Sequence, residues 1–333
     1  MQETDPYRHP VETPGFRSRF GGLWTDLSNA RDLVAGRLAI GDISERDALN
    51  LLAFIESGYV ILRGAVDDKV VDTLNADIAR IVIDPPREAW VSCFENGHHV
   101  ARPLRSEDAH AHNKELKLLD LYSFLPSARE VIFAPDTLRF LKLIFMRPAL
   151  VHQSLFFFKG SQQQLHKDTA FVRVSSPMEL VASWTALEDV RPGSGELIYY
   201  PGSHQDQDFL FEGKYKWCPP GATEIGAFYA SLDEAAERRK DMRRLLRAAK
   251  GDVLIWSADL AHGGGEIDDP SKTRQSIVAH YCPKNVYPMY RHYEGASEIT
   301  DYGNGRLGCF AKKGTGLPLP MASAYQGSAN SGL

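Results

Sequence analysis

The stretch GDVLIWSADLAHGGG, residues 251–265, decides the fold. Val253 to Trp256 form a β-prone apolar run that leaves a Gly-Asp turn and halts at Ser257-Ala258-Asp259, as a buried strand entering a loop does. His262 stands just beyond, ahead of three glycines. Four more runs share this texture: VHQSLFFFKG (151–160), ELVASWTALEDV (179–190), ELIYYPG (196–202) and QSIVAHYCP (275–283). Each is bounded by Gly, Pro, Ser or Asp. Their spacing predicts an antiparallel sandwich or jelly roll rather than βαβ units.

The region upstream reads as helical. Ser44 and Asp47 form a capping pair for a helix to Ser57, with Leu49, Leu52, Ala53 and Ile55 as its apolar stripe and Gly58 as its stop. A strand follows from Tyr59. Asp67 caps a helix over 68–83 with Val70, Leu74, Ile78, Ala79 and Val82 inward, and another is expected over 136–146, with Leu138, Leu141 and Phe145 on one face. Within the β region, Ser231 and Glu234 predict a capping box for a helix over 232–249 closed by Gly251. Its inner face would be Ala235, Met242, Leu245 and Ala249. Its cations, Arg238, Arg239, Lys240, Arg243, Arg244 and Arg247, alternate with acids and read as an ion-paired surface. The expected organisation is an N-terminal arm (1–28) and one domain (29–333). That domain comprises a helical part to about 147, a jelly-roll core over about 148–290 and a C-terminal extension over 291–333.

Bulk properties narrow the class of function. Apolar residues make up 43% and charged residues 24% of the 333, an ordinary globular balance. A formal charge of −5 argues against nucleic-acid or membrane-surface binding. Cys93, Cys218, Cys282 and Cys309 are too scattered for a disulfide framework or zinc ribbon, so free thiols are expected. No apolar run reaches membrane-spanning length and the first residues are polar, so a soluble, cytoplasmic protein is expected.

Chemistry concentrates in QQQLHKDTAFV, where His166 and Asp168 stand two residues apart. Along an extended chain, residues i and i+2 share a face, so imidazole and carboxylate converge on one point. With His262 they make two imidazoles and one carboxylate, the facial set that suits iron(II) and leaves three coordination positions open. A bidentate 2-oxo acid fills two of those and O2 the third. A His-x-Asp triplet alone is a weak signal, and His204/Asp206 is a second one, but it sits in a Pro-Gly-Ser turn. His98/His99 and His110/His112 read as polar surface residues. Arg274 adds weight: it lies twelve residues after His262 on a β-prone run, where a guanidinium can grip a carboxylate by two parallel hydrogen bonds.

Taken in order, these residues resemble the phytanoyl-CoA dioxygenase family from about Ala48 to Lys284. The resemblance rests on the helix–GYVILRG–helix opening, LHKDT, Trp184 eighteen residues after His166, GSGELIYYPGSH, GDVLIWSADLAHGGG and the Arg274 run. It implies a double-stranded β-helix (cupin-like jelly roll) and an iron(II)- and 2-oxoglutarate-dependent dioxygenase using O2. His166, Asp168 and His262 match the family's metal ligands, Arg274 its cosubstrate arginine, and Trp184 an aromatic beside the cosubstrate. The turn Pro201 to His204 matches an architectural signature. One departure is Gly264, where many members carry Ser or Thr to hold the oxo acid. Ser276, Gln153 or Ser154 would then supply that contact. Asp168 is present where related halogenases lack the carboxylate, so halogenation is not expected.

The resemblance further implies hydroxylation of an unactivated C–H bond with release of succinate and CO2. The substrate expected is a small molecule, a specialised metabolite or a sugar in a biosynthetic setting. The segment Trp90–Tyr122, with His98, His99, Arg102 and Arg105, is expected to cover the site mouth. Phe156, Phe157 and Phe158 cannot share one face, and the core claims them. Two rivals remain: a cupin-type metalloenzyme that does not use 2-oxoglutarate, and a non-catalytic jelly-roll binding protein.

Overall fold

The computed structural model describes residues 15–95, 98–110, 116–289, 298–313 and 317–319, with side chains at 96–99, 109–115, 290–297 and 311 onward outside that description. In chain order the elements are α1 (Ala30–Ala39), α2 (Glu45–Ser57), β1 (Tyr59–Leu62), α3 (Asp68–Ile83), β2 (Trp90–Glu95), β3 (His98–Pro103) and β4 (Lys117–Leu119). Then come α4 (Pro126–Ile132), α5 (Pro135–Phe145), β5 (Ala149–Phe157), β6 (Val181–Ala186), β7 (Leu197–Tyr199), α6 (Ile225–Arg238) and β8 (Arg244–Leu245). The chain continues with β9 (Val253–Ser257), β10 (His262–Gly264), β11 (Ser276–Pro283), β12 (Glu298–Asp301), β13 (Leu307–Lys313) and β14 (Leu317–Leu319).

Two sheets form a jelly roll. The major sheet runs β1-β9-β6-β11-β5-β4-β2-β3, and a minor sheet runs β10-β7-β8. Every residue of β5, β6, β9 and β11 is buried. One face of these strands (Val151, Phe156, Val181, Ile255, Ile277) packs on the helices, while the other (Leu155, Trp184, Leu254, Trp256, Val278) looks toward the minor sheet. Double-sided burial explains why the runs read as continuous apolar stretches instead of alternating ones.

The helical layer departs from the sequence reading in detail. α2 is closed by the expected box: Asp47 N donates to Ser44 Oγ (3.1 Å) and Ser44 N to Asp47 Oδ2 (3.0 Å), and Gly58 takes the left-handed conformation at φ 80°. Its buried stripe, however, is Ala48, Leu51 and Phe54, and Leu49 is 68% exposed. In α3, Val71, Leu74, Ile78, Ile81 and Val82 are buried, whereas Ala79 is exposed and Val70 half-buried. Both stripes lie a fraction of a turn from the expected ones, because the helix faces were apolar enough to leave the angle open. In α5, Leu141 and Phe145 are buried and Leu138 half-buried, and Ile144 and Phe140, whose ring meets Phe54 of α2 edge-on, are buried with them.

The larger correction concerns residues 225–251. The helix spans Ile225–Arg238, so Ser231 lies inside it, donating its hydroxyl to Phe228 O (2.7 Å) rather than capping. After a 3-10 turn that ends at the exposed Met242 the chain is extended, with Leu246 and Ala248 buried while Leu245 is exposed. A period of two replaces the period of 3.6 there. In the segment expected over the site mouth, β2, β3 and β4 continue the major sheet beyond β5. Within the described part of the arm, Trp24 Nε1 donates to Leu143 O (3.0 Å) and Ser18 Oγ to Asp208 (2.9 Å). None of the four cysteines is joined in a disulfide, and among the described residues no helix is long and apolar enough to cross a membrane.

The α2 cap carries a pH dependence. The Arg139 guanidinium, with Nε 2.9 Å from Asp47, holds that carboxyl well below the usual carboxylate range against the opposing effect of burial. A depressed folded-state pKa contributes stability above the unfolded value of about 4 and loses it as pH falls below that. Wild type is therefore expected to exceed Asp47→Asn by about 1 kcal/mol or more at neutral pH. Urea unfolding at stepped pH should show the gap closing below about pH 4.

Candidate metal centre and cosubstrate site

His166, Asp168 and His262 converge, their ligand atoms all within 4.8 Å of one another, and all three are buried. Backbone pairing brings them together. His166 and His262 face each other across an antiparallel bridge that exchanges both hydrogen bonds, His166 N to His262 O at 2.8 Å and His262 N to His166 O at 2.9 Å. Lys167 between the first two ligands is extended (φ −117°, ψ 131°), which keeps His166 and Asp168 on one side although Asp168 itself opens a 3-10 turn. Both Nε2 atoms lie 3.6 Å from Asp168 Oδ1.

The donor chemistry fits a divalent metal. His166 Nδ1 lies 2.9 Å from Gln164 O, and His262 Nδ1 lies 2.9 Å from Leu260 O. A ring N–H given to a backbone carbonyl fixes the tautomer and leaves each Nε2 lone pair facing Asp168. Burial pushes His262 down to about 4, so it is a neutral donor at physiological pH. Burial acts to raise Asp168, but the adjacent rings of His262 and His280 outweigh it and hold the carboxyl well below its usual range. Two imidazoles and one carboxylate are the set that suits iron(II).

Arg274 lies on the same cavity, 2% exposed, with its guanidinium 5.5 Å from the Trp184 ring centre. Its Nε and Nη1 have no hydrogen-bond partner among the described residues. Burial lowers it to about 10, with Glu196 and Glu188 acting the other way, so it remains a cation. A buried guanidinium with open donors is costly unless an anion completes it. Leu155, Phe157, Leu197 and Val278 supply apolar walls to this cavity, which Gln153 also lines.

Of the three phenylalanines expected in the core, Phe156 lies there, whereas Phe157 also forms a cavity wall, as alternation requires. The expected site residues divide. Ser276 lies on the site-facing side of β11, opposite Phe157 and Ala186, with its hydroxyl unpartnered among the described residues, but it does not line the cavity. Ser154 points to the helical face, opposite Ala279. The glycine at 264 has a steric cause: a Cβ there would sit 2.5 Å from Gln162 N and 2.8 Å from Ser161 Oγ. The chain at 161–163 fills the space that a Ser or Thr needs.

The segment expected over the mouth contributes none of the cavity lining among the described residues. Arg102 is forked onto Asp108 (2.7 and 2.8 Å) and reaches Glu95 (2.7 Å), so it is committed to its own hairpin. The side chains of His98, His99 and His110, and all of His112, lie outside the described residues. Asp206 of the second His-x-Asp triplet pairs with Arg239, and His204 packs on Gly58 away from the metal ligands. Sequence reasoning missed Trp256, His280 and Gln163. Trp256 Nε1 donates to Asp168 Oδ2 (2.9 Å), His280 Nε2 is 3.4 Å from that oxygen, and Gln163 Nε2 is 3.1 Å from His166 Nε2.

A curated relative, the "Phytanoyl-CoA dioxygenase domain-containing protein 1 homolog" of Caenorhabditis elegans, is 22% identical over 256 residues, 68% of this chain and 88% of that protein. The peroxisomal phytanoyl-CoA dioxygenase of Homo sapiens is 23% identical over 140 residues, 42% of this chain and 38% of its own length. Among solved structures, the non-haem alpha ketoglutarate dependent epimerase SnoN from nogalamycin biosynthesis superposes with a TM-score of 0.56 at 18% identity, covering 79% of this chain and 98% of that one. EctD from S. alaskensis with bound Fe gives 0.51 at 20% identity, covering 72% and 77%. These structures share the fold. The family model for Phytanoyl-CoA dioxygenase (PhyH) matches residues 54–275, two thirds of the chain, and the protein belongs to that family.

Proposed function

We propose that the protein is an iron(II)- and 2-oxoglutarate-dependent dioxygenase that hydroxylates an unactivated C–H bond of a small molecule, a specialised metabolite or a sugar. The observation that carries this reading is Arg274, a buried cation with open donors in the cavity that His166, Asp168 and His262 line. A cupin-type enzyme without a 2-oxo acid has no use for that group, and a binding protein has no use for a complete ligand set. Two neighbours support the cosubstrate: SnoN was crystallised with Fe3+, alpha ketoglutarate and nogalamycin RO, and EctD with 2-oxoglutarate and 5-hydroxyectoine.

His166, Asp168 and His262 would hold the iron, and Arg274 would take the far carboxylate of 2-oxoglutarate by charge-assisted hydrogen bonds. When bound, iron(II) with the oxo acid supplies an oxidation in which one atom of O2 ends in succinate, CO2 leaves, and the other atom enters a C–H bond. The chain's own share is placement and dryness. Trp184, Leu155, Phe157 and Val278 exclude water around the cosubstrate, and the hydrogen bonds from His166 and His262 to backbone carbonyls fix the donors before anything binds. Phe171, Val172 and Gln163 line the part of the cavity nearer the metal ligands, where a substrate would enter.

The test is anaerobic. Protein given iron(II) and 2-oxoglutarate should show a weak visible charge-transfer band that His166→Ala abolishes, and with the right substrate in air it should release succinate. Folded, iron-loaded protein without the band would favour the cupin-type alternative.

A further inference from the structure

The two carboxylate oxygens of Asp168 have different surroundings, and the difference is built by the major sheet. Oδ1 faces both imidazole Nε2 atoms at 3.6 Å. Oδ2 points the other way, receiving the indole N–H of Trp256 at 2.9 Å with His280 Nε2 at 3.4 Å. Strand register explains how two large residues reach one atom. Trp256 on β9 and His280 on β11 both stand directly opposite Ala182 on β6, the strand between them. The alanine leaves a notch in the row, and the ring on each side closes it. Trp256 is 2% and His280 3% exposed, and neither ring nitrogen of His280 has a hydrogen-bond partner among the described residues, so its approach to Oδ2 is a close polar contact.

Resting on the metal-centre reading above, we infer that Trp256 and His280 are positioning residues that hold Asp168 Oδ2 out of the coordination sphere, so that the carboxylate presents one oxygen to the metal. A carboxylate free to rotate can offer both oxygens and occupy a position that the cosubstrate or O2 needs. Groups that orient metal ligands in this way typically change metal affinity about 10- to 100-fold when removed. The row Trp256–Ala182–His280 thus protects the number of open positions as well as the affinity.

Cobalt(II), stable in air, is the probe. Wild type, Trp256→Phe, His280→Leu and His280→Gln are titrated with cobalt(II) while the visible d–d bands are recorded, and the metal-free proteins are compared by circular dichroism and thermal midpoint. Expected are about 10-fold or greater losses of affinity in Trp256→Phe and His280→Leu, with altered band intensity. His280→Gln, which keeps a donor, should stay within a few-fold of wild type. Unfolding of Trp256→Phe before titration would move the decision to the two His280 variants, which differ in hydrogen bonding at similar size. Equal affinities and spectra for His280→Leu, His280→Gln and wild type, with Trp256→Phe either equal to them or unfolded, would overturn the inference and leave the metal centre standing. Wild type that takes up no cobalt would overturn the metal-centre reading and the inference with it.

Discussion

Arg274→Ala is expected to raise the 2-oxoglutarate concentration needed for half-maximal succinate release about 100- to 1000-fold, while iron(II) affinity changes by no more than about threefold. Truncating one partner of a buried, hydrogen-bonded charge pair costs about 2–5 kcal/mol, and each 1.4 kcal/mol is about tenfold. The site meets the conditions for the middle of that range. The guanidinium is 2% exposed, it stays charged with a pKa near 10, and its Nε and Nη1 are left for a ligand. Arg274→Lys should recover only part of the loss, since an ammonium cannot make the two parallel bonds. Stability without ligand should move in the opposite sense. Removing a buried cation whose donors are unsatisfied relieves a cost, so the metal-free Arg274→Ala protein should melt no lower than wild type. Wild type alone should gain about 2.7 kcal/mol at a hundredfold excess of 2-oxoglutarate over its Kd. An unchanged KM in Arg274→Ala would remove the cosubstrate assignment.

The parts of this site that could be read from the chain were those encoded by short-range geometry. His166 and Asp168 share a face because one extended residue separates them, and the Ser44–Asp47 box declares itself over four positions. Trp256 and His280 were hidden because nothing local marks them: each sits inside an apolar strand where a core role is the ordinary reading. Alternation would have found His280 once Arg274 was assigned, since Ser276, Val278 and His280 continue one face of β11, but its meeting with Trp256 depends on β6 lying between them. That is strand order, which no local pattern carries. The helix at Ile225–Arg238 failed for the converse reason. Ser231 and Glu234 imitate a cap, yet the buried positions are Phe228 and Leu232, and Phe228 packs in a cluster with Phe209 and Phe211 drawn from the preceding loop.

Asp259→Ala should be the most destabilising single change near the site, at about 3–5 kcal/mol, the usual cost of stripping one partner from buried charges. Asp259 is 1% exposed and lies between β9 and β10. Its carboxylate receives Lys167 Nζ (3.1 Å), Lys216 Nζ (2.8 Å) and Thr169 Oγ1 (2.7 Å). Lys167 also donates to Ser203 O (3.1 Å) and Lys216 to Asp208 (2.6 Å). The geometry reaches the ligands directly: Lys167 and Thr169 flank Asp168, and Asp259 is three residues before His262, so one carboxylate ties both legs of the metal site. Burial raises its pKa, but Lys167 and Lys216 outweigh that and bring it to about 2. The sign follows from a depressed folded value. The stabilisation is fully present above the unfolded carboxylate pKa of about 4 and fades as pH falls from there toward the folded value. The gap between wild type and Asp259→Ala in chemical denaturation should therefore be widest near neutrality and narrow below about pH 4. The triple change Lys167→Met, Lys216→Met, Asp259→Leu should recover most of the lost stability, because buried ion pairs replaced by apolar groups of similar volume often cost little. If the single variant were as stable as wild type, the cluster would not be the tie that its distances describe; if the triple variant recovered stability but bound metal weakly, the charges would serve the site more than the fold.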